Sequence, residues 1–146
     1  MDFNDYLDKF QKLNVASNGK HKRPHKPVMM LAIMSLIENK KNEDNQIEYS
    51  TQLLELFKRY FDIVKKHNDS LSPILPFFYL RGDKFFHHKP YSGKKQVYQA
   101  LSNPGSIKKF MNIVEYAYLN DELYYFFNDP EKLNELRDVL TLQRHL

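Results

Sequence analysis

The chain has 146 residues and carries 22 Lys and Arg against 18 Asp and Glu, with 42% hydrophobic and 14% aromatic residues. This length and apolar content predict one compact domain with its own core and exclude a disordered chain. The absence of cysteine excludes disulfides, zinc–thiolate sites and a cysteine nucleophile, and no apolar run reaches the roughly 20 residues that a membrane span needs.

The N-terminal stretch MDFNDYLDKF is acidic and lacks the pattern of a signal peptide. Together with the missing membrane span, this predicts a soluble cytoplasmic protein with no membrane partner.

The first half of the chain predicts three helices. Apolar side chains recur at helical intervals over residues 3–13, and the run VMMLAIMSLIE at 28–38 is apolar nearly all round. The second run therefore predicts a helix buried in the centre of the domain, with Pro27 in its first turn. Ser50 is a predicted N-cap for an amphipathic helix over 51–66.

The second half predicts one small β element among helices. Residues 74–88, ILPFFYLRGDKFFHH, predict a β-hairpin around the turn RGDK, followed by a loop over 89–95. Helices are predicted over 96–102, 106–119 and 129–142. The predicted class is mostly α with a small β-hairpin or short sheet (α+β), in a single compact helical domain over 1–146.

Basic residues are concentrated in two segments. Residues 19–27 hold four Lys and Arg and no acid, and residues 81–95 hold five against the single acid Asp83, which leaves 13 bases and 17 acids elsewhere. A basic patch on a slightly acidic body is typical of a protein that binds a polyanion, provided that the two segments meet in space. In the first segment Lys22 and Arg23 are candidate phosphate contacts. His25 and Lys26 are candidates for contacts at the start of the buried helix, where backbone N–H groups favour an anion.

No motif of a catalytic or metal site is present. The sequence contains no H-E-x-x-H, no G-x-S-x-G and no G-x-x-x-x-G-K-[ST] motif. We therefore predict no catalytic residues, no metal site and no cofactor.

Pro76 stands inside the aromatic run ILPFFYL, where it cannot donate to a central sheet ladder. Two interpretations stay open. A bent edge would expose a small apolar pocket beside cationic side chains, whereas a proline kink would simply pack these side chains into the core.

Three stretches together resemble a known family. RPHKPVMMLAIMSLIE, LPFFYLRGDKFFHH and VEYAYLNDELYYFFNDPEKLNELRDVLTL are similar, in order and spacing, to sulfur-binding domains. These domains are the DNA-reading modules of type IV, modification-dependent restriction endonucleases of the HNH class. The resemblance extends from about residue 20 to the end of the chain.

The resemblance implies recognition of phosphorothioate DNA, in which sulfur replaces one non-bridging phosphate oxygen. It implies a sulfur pocket formed by Leu75, Pro76, Phe77 and Tyr79, with Lys26 next to it. Candidates for groove and backbone contacts are Arg81, His87, His88, Ser92, Lys94 and Lys95. The sequence departs from the family where Leu75 replaces a common Tyr and Tyr79 replaces a small residue, and no HNH nuclease segment can be identified.

The expected function is therefore that of a sensor module for phosphorothioate-modified double-stranded DNA in a restriction system. Nuclease activity would come from an HNH domain or partner. The alternatives are a reader of methylated or unmodified duplex DNA, and a protein-interaction domain with an aromatic groove.

Overall fold

The computed structural model describes residues 1–15, 24–40, 44–65 and 69–145. Within these ranges the chain forms eight α-helices and two paired strands, which confirms the predicted mostly α, α+β class. The strands are β1 (Phe86–Pro90) and β2 (Val114–Leu119). The helices are α1 (Phe3–Val15), α2 (His25–Lys40), α3 (Thr51–Val64), α4 (Ile74–Tyr79), α5 (Lys95–Gln99), α6 (Ile107–Ile113), α7 (Asp121–Phe127) and α8 (Pro130–His145).

Helix α2 is the centre of the fold, as its apolar run predicts. No side chain from Val28 to Met34 is more than 5% exposed, and the helix packs against α1, α3, α4, α7 and α8. Pro27 lies in its first turn, where the missing N–H has no intrahelical partner to lose. His25 and Lys26 therefore lie at the start of a buried helix.

Helix α3 begins where the sequence predicts. The Ser50 hydroxyl accepts a hydrogen bond from the Leu53 N–H at 3.2 Å, which satisfies one of the free donors of the first turn. Leu53, Phe57 and Phe61 form the buried stripe that packs on α2.

The predicted hairpin over 74–88 is wrong. Residues Ile74–Tyr79 form α4, and Leu80–Asp83 continue as a 3-10 helix, which ends at Lys84 in the left-handed conformation (φ 72°). Pro76 lies in the first turn of α4, where a proline removes no helical hydrogen bond. The proline that argues against a central strand is thus compatible with a helix start.

The sheet pairs segments that are distant in the sequence. Strand β1 runs antiparallel to β2, with His87 opposite Tyr118 and Lys89 opposite Tyr116. The predicted helix over 106–119 is therefore wrong in its second half, because α6 ends at Ile113 and the chain continues as β2. On its other side β2 bonds Ile47 through two 2.7 Å backbone hydrogen bonds with Ala117.

Among the described residues, no helix is both long enough and apolar enough to span a bilayer.

Candidate nucleic-acid interface

The first turn of α2 contacts the 3-10 helix that follows α4. Lys26 Nζ lies 2.7 Å from Asp83 Oδ2, so the described part of the first basic segment meets the second. His25 Nε2 lies 2.8 Å from the Ser70 carbonyl oxygen, to which it donates, and its ring packs against Phe61 at 5.2 Å. Both residues are half-buried and fixed. Lys22 and Arg23 lie outside the described residues.

The residues of the predicted sulfur pocket separate into two groups. Phe77 is 1% exposed and Pro76 is buried, so neither offers its side chain to a ligand, and their assignment to a surface pocket is corrected. Leu75 and Tyr79 are 43% and 41% exposed. They are four residues apart on α4 and so share one face, which we call the α4 patch.

His88 is a core residue, not a surface contact. It is 5% exposed, and its Nε2 donates to the Phe77 carbonyl oxygen at 2.8 Å. A carbonyl only accepts, so Nδ1 is unprotonated and accepts from the Tyr98 hydroxyl at 2.6 Å. Burial lowers the pKa of His88 from 6.5 to about 4, which keeps the ring neutral at physiological pH. The predicted role of His88 as a DNA contact is therefore corrected.

Arg81 is positioned by the segment that follows α5. Its guanidinium donates to the Leu101 carbonyl oxygen and lies over the Phe78 ring at 4.1 Å and near the Tyr98 ring at 5.3 Å. Burial raises the pKa of Tyr98, and the neighbouring Arg81 opposes this rise. No carboxylate lies within ion-pair distance of Arg81 in the described parts of the chain. It is a fixed cation with no acidic partner there.

His87 is held by an amide whose orientation is set by its other contacts. Asn120 Nδ2 donates to the Tyr6 hydroxyl at 2.9 Å and to the Lys84 carbonyl at 3.3 Å, so Asn120 Oδ1 is the acceptor. His87 Nε2 therefore donates to that oxygen at 2.6 Å. Its ring packs on Tyr118 at 5.2 Å, and Nδ1 is its other hydrogen-bonding atom.

An open cavity of about 470 Å³ lies between the 3-10 helix, the sheet and α5. It is lined by Arg81, Gly82, His87, His88, Tyr98, Gln99 and Tyr118. The sequence identifies three members of this lining, Arg81, His87 and His88, but gives no indication of Tyr98, Gln99 and Tyr118. The alternation of Tyr116 and Tyr118 in VEYAYL is the signal for an exposed strand face that would have pointed to it.

The part of the chain that contains β1, α5 and α6 is rich in lysine. Residues 84–114, which we call the cationic segment, contain six lysines and no acid, and the rest of the chain has 16 basic against 18 acidic residues. All six lysines are exposed. Ser92 and Lys94 lie on the exposed loop before α5, in a turn closed by the hydrogen bond from the Lys94 N–H to the Tyr91 carbonyl at 2.9 Å, and the exposed Lys95 is the first residue of α5. Gly93 in that turn has φ 81°, a conformation that favours glycine.

The described residues contain no cluster of three or more His, Cys, Asp or Glu side chains arranged to hold a metal ion. The fold and site define an α+β domain with a cationic surface, an exposed apolar patch and an aromatic-lined cavity. No family model matches the chain, and no curated protein matches it either.

Proposed function

We propose that this protein is a DNA-binding module that reads a modified backbone, with phosphorothioate as the modification. The observation that carries the proposal is the 2.7 Å contact between Lys26 and Asp83. It joins the two basic segments at the element next to α4, whose exposed Leu75 and Tyr79 form an apolar patch. These are also the segments that resemble sulfur-binding domains.

The α4 patch would discriminate sulfur from oxygen. A sulfur atom is larger, more polarisable and less strongly hydrated than a phosphate oxygen, so placing it against apolar side chains costs less desolvation. The patch contains a leucine and a tyrosine instead of the residues common in the family, and both side chains remain partly exposed. Discrimination therefore depends on a shallow contact surface and not on an enclosed cavity.

The cationic segment would supply most of the affinity. Lysines that neutralise phosphates release condensed counterions, which gives strong binding without sequence preference. In this proposal the protein acts in the cytoplasm as a sensor, and the cleavage of DNA is carried out by an HNH nuclease domain or partner.

The test compares matched duplexes with and without one phosphorothioate. We expect the wild-type protein to bind the modified duplex at least about tenfold more tightly, and Leu75→Glu to remove that preference because a carboxylate repels the backbone and hydrates the patch. Titrations by fluorescence anisotropy at fixed salt measure both affinities.

Tyr125→Glu is the matched control. Tyr125 is a 69% exposed aromatic residue on α7, outside the α4 patch, and its substitution should preserve the preference. Equal binding of the two duplexes by the wild-type protein contradicts sulfur recognition and favours a reader of unmodified duplex. Absence of salt-dependent binding to either duplex contradicts DNA recognition and favours a protein partner.

A further inference from the structure

The outer face of the two-stranded sheet combines aromatic rings with a cation. Strand pairing places His87 opposite Tyr118 and Lys89 opposite Tyr116, whereas Phe86 and its neighbours on the other face point into the core. The His87 and Tyr118 rings lie 5.2 Å apart, the Tyr116 and Tyr118 rings lie 6.4 Å apart, and Lys89 Nζ lies 5.9 Å from the Tyr116 ring. Such rings on a strand face are surfaces on which nucleobases stack.

The outer face continues into the cavity that contains Arg81. His87 and Tyr118 belong to both, so a ligand that stacks on Tyr118 also reaches the cavity. Arg81 is held there by the Leu101 carbonyl and the Phe78 ring, with no carboxylate within ion-pair distance among the described residues. A guanidinium fixed in this way binds a phosphate without first being released from an acid.

The size and polarity of the cavity fit more than a phosphate. Its volume of about 470 Å³ lies in the range of sites that bind whole small molecules, roughly 300–1,000 Å³. The exposed Gln99 amide and the remaining imidazole nitrogen of His87 supply donors and acceptors of the kind that recognise the edge of a base.

We propose that the cavity and the outer sheet face bind one nucleotide with an accessible base. The phosphate pairs with Arg81, and the base stacks on Tyr118. A base inside a duplex has no free face, so the nucleotide is either free or part of an unpaired stretch of nucleic acid. This site is separate from the α4 patch and extends the proposed function from a modified backbone to an unpaired nucleotide.

The experiment uses four probes with the full chain: deoxyadenosine monophosphate, deoxyadenosine, inorganic phosphate and an eight-nucleotide single strand of deoxyadenosine. We expect the single strand to bind, and Tyr118→Ala to weaken its binding about tenfold because one stacked base is lost. Tyr118→Phe keeps the ring and should retain most of the affinity. Arg81→Gln should also weaken binding, and Tyr125→Ala, an exposed aromatic residue on another element, should have no effect.

The four probes distinguish a free nucleotide from a nucleotide within an unpaired stretch of nucleic acid. Binding of the monophosphate, with weaker binding of the nucleoside and of inorganic phosphate, supports a free nucleotide as ligand. Binding of the strand alone supports a nucleotide within nucleic acid. If neither binds, or if Tyr118→Ala and Tyr118→Phe lose equal affinity, the proposal is overturned.

The outcome is independent of sulfur recognition. Tyr118→Ala should leave the ratio of affinities for the modified and unmodified duplexes unchanged. Leu75→Glu should bring that ratio to one, but it should bind the single strand as well as the wild-type protein does at the same salt concentration. Each proposal can therefore fail while the other stands.

Discussion

At the scale of the residue, His88 shows how the core sets the chemistry of the surface next to it. Its two ring nitrogens connect the Phe77 carbonyl on α4 with the Tyr98 hydroxyl, and Tyr98 in turn lies beside Arg81. From the sequence alone, a histidine in the pattern HHKP is predicted to contact DNA as a cation. Only the pairing of β1 with β2 shows that alternate residues of the strand face opposite sides and that His88 faces inward.

The buried, neutral state of His88 predicts a loss of stability in mild acid. Its folded pKa of about 4 lies below the ordinary value of 6.5, so the unfolded chain binds the proton first. The contribution is fully present above pH 6.5 and is lost as pH falls from 6.5 towards 4, which amounts to about 2 kcal/mol between pH 7.5 and pH 5. Denaturant unfolding at a series of pH values measures it.

The variant His88→Gln isolates this contribution. Glutamine still donates to the Phe77 carbonyl but does not titrate, so the variant should be less stable at pH 7.5 and show a flatter dependence on pH than the wild-type protein. An NMR titration that finds the His88 imidazole protonated near pH 6.5 in the folded protein would contradict the assignment.

At the scale of the element, predictions succeed where the signal is local. The apolar run of α2, its first-turn proline and the Ser50 cap all depend on neighbours within one or two helical turns. The predictions fail where pairing is distant. Phe and Tyr in 74–88 have β propensity, but the first-turn proline of α4 favours a helix, and β1 finds its partner almost thirty residues later.

The same difference between local signals and distant contacts applies to the candidate site. The sequence identifies Lys26, Arg81 and His87 through their charge and ring chemistry, because these properties belong to the residue itself. It does not show that Asp83 neutralises Lys26, or that Tyr118 lies against His87, because each contact joins elements separated in the chain. Burial of Phe77 was similarly left open by the sequence and is decided by packing.

The contact between α2 and the 3-10 helix predicts that Asp83 restrains DNA binding. Its carboxylate competes with phosphate for Lys26, so Asp83→Asn should strengthen binding of modified and unmodified duplexes alike by several-fold and make it more salt-dependent. Asp62→Asn is the control, because it frees Lys58 on α3 and Lys65 at the C-cap of that helix with the same change in charge. Unchanged affinity in Asp83→Asn, or an equal gain in both variants, would show that Lys26 does not contact DNA.

At the scale of the whole molecule, the charge is divided between one segment and the remainder. The net charge of +4 conceals a cationic segment with six lysines and no acid on a body that is slightly acidic. The sequence alone shows this uneven distribution of charge, but the fold determines which side chains of the segment are exposed to solvent. The loop before α5, the turn at Lys84 and the start of α6 all present their lysines to solvent, while the same segment contributes Phe85, Phe86 and Phe110 to the core.

This distribution predicts how binding responds to salt. Each lysine that neutralises a phosphate of duplex DNA contributes about 0.9 to the slope of log affinity against log salt, so Lys94→Ala with Lys95→Ala should reduce the slope by about 2. Affinity at low salt should fall for both duplexes, and their ratio should remain because the α4 patch is unaltered. The double variant Lys58→Ala with Lys65→Ala removes the same charge from α3 and its C-cap, where both lysines pair with Asp62, and should leave the slope unchanged. Anisotropy titrations between 50 and 200 mM salt compare the three proteins. Equal slopes for all three proteins would mean that Lys94 and Lys95 do not contact DNA. Equal decreases in both variants would mean that binding depends on net charge and not on the cationic segment.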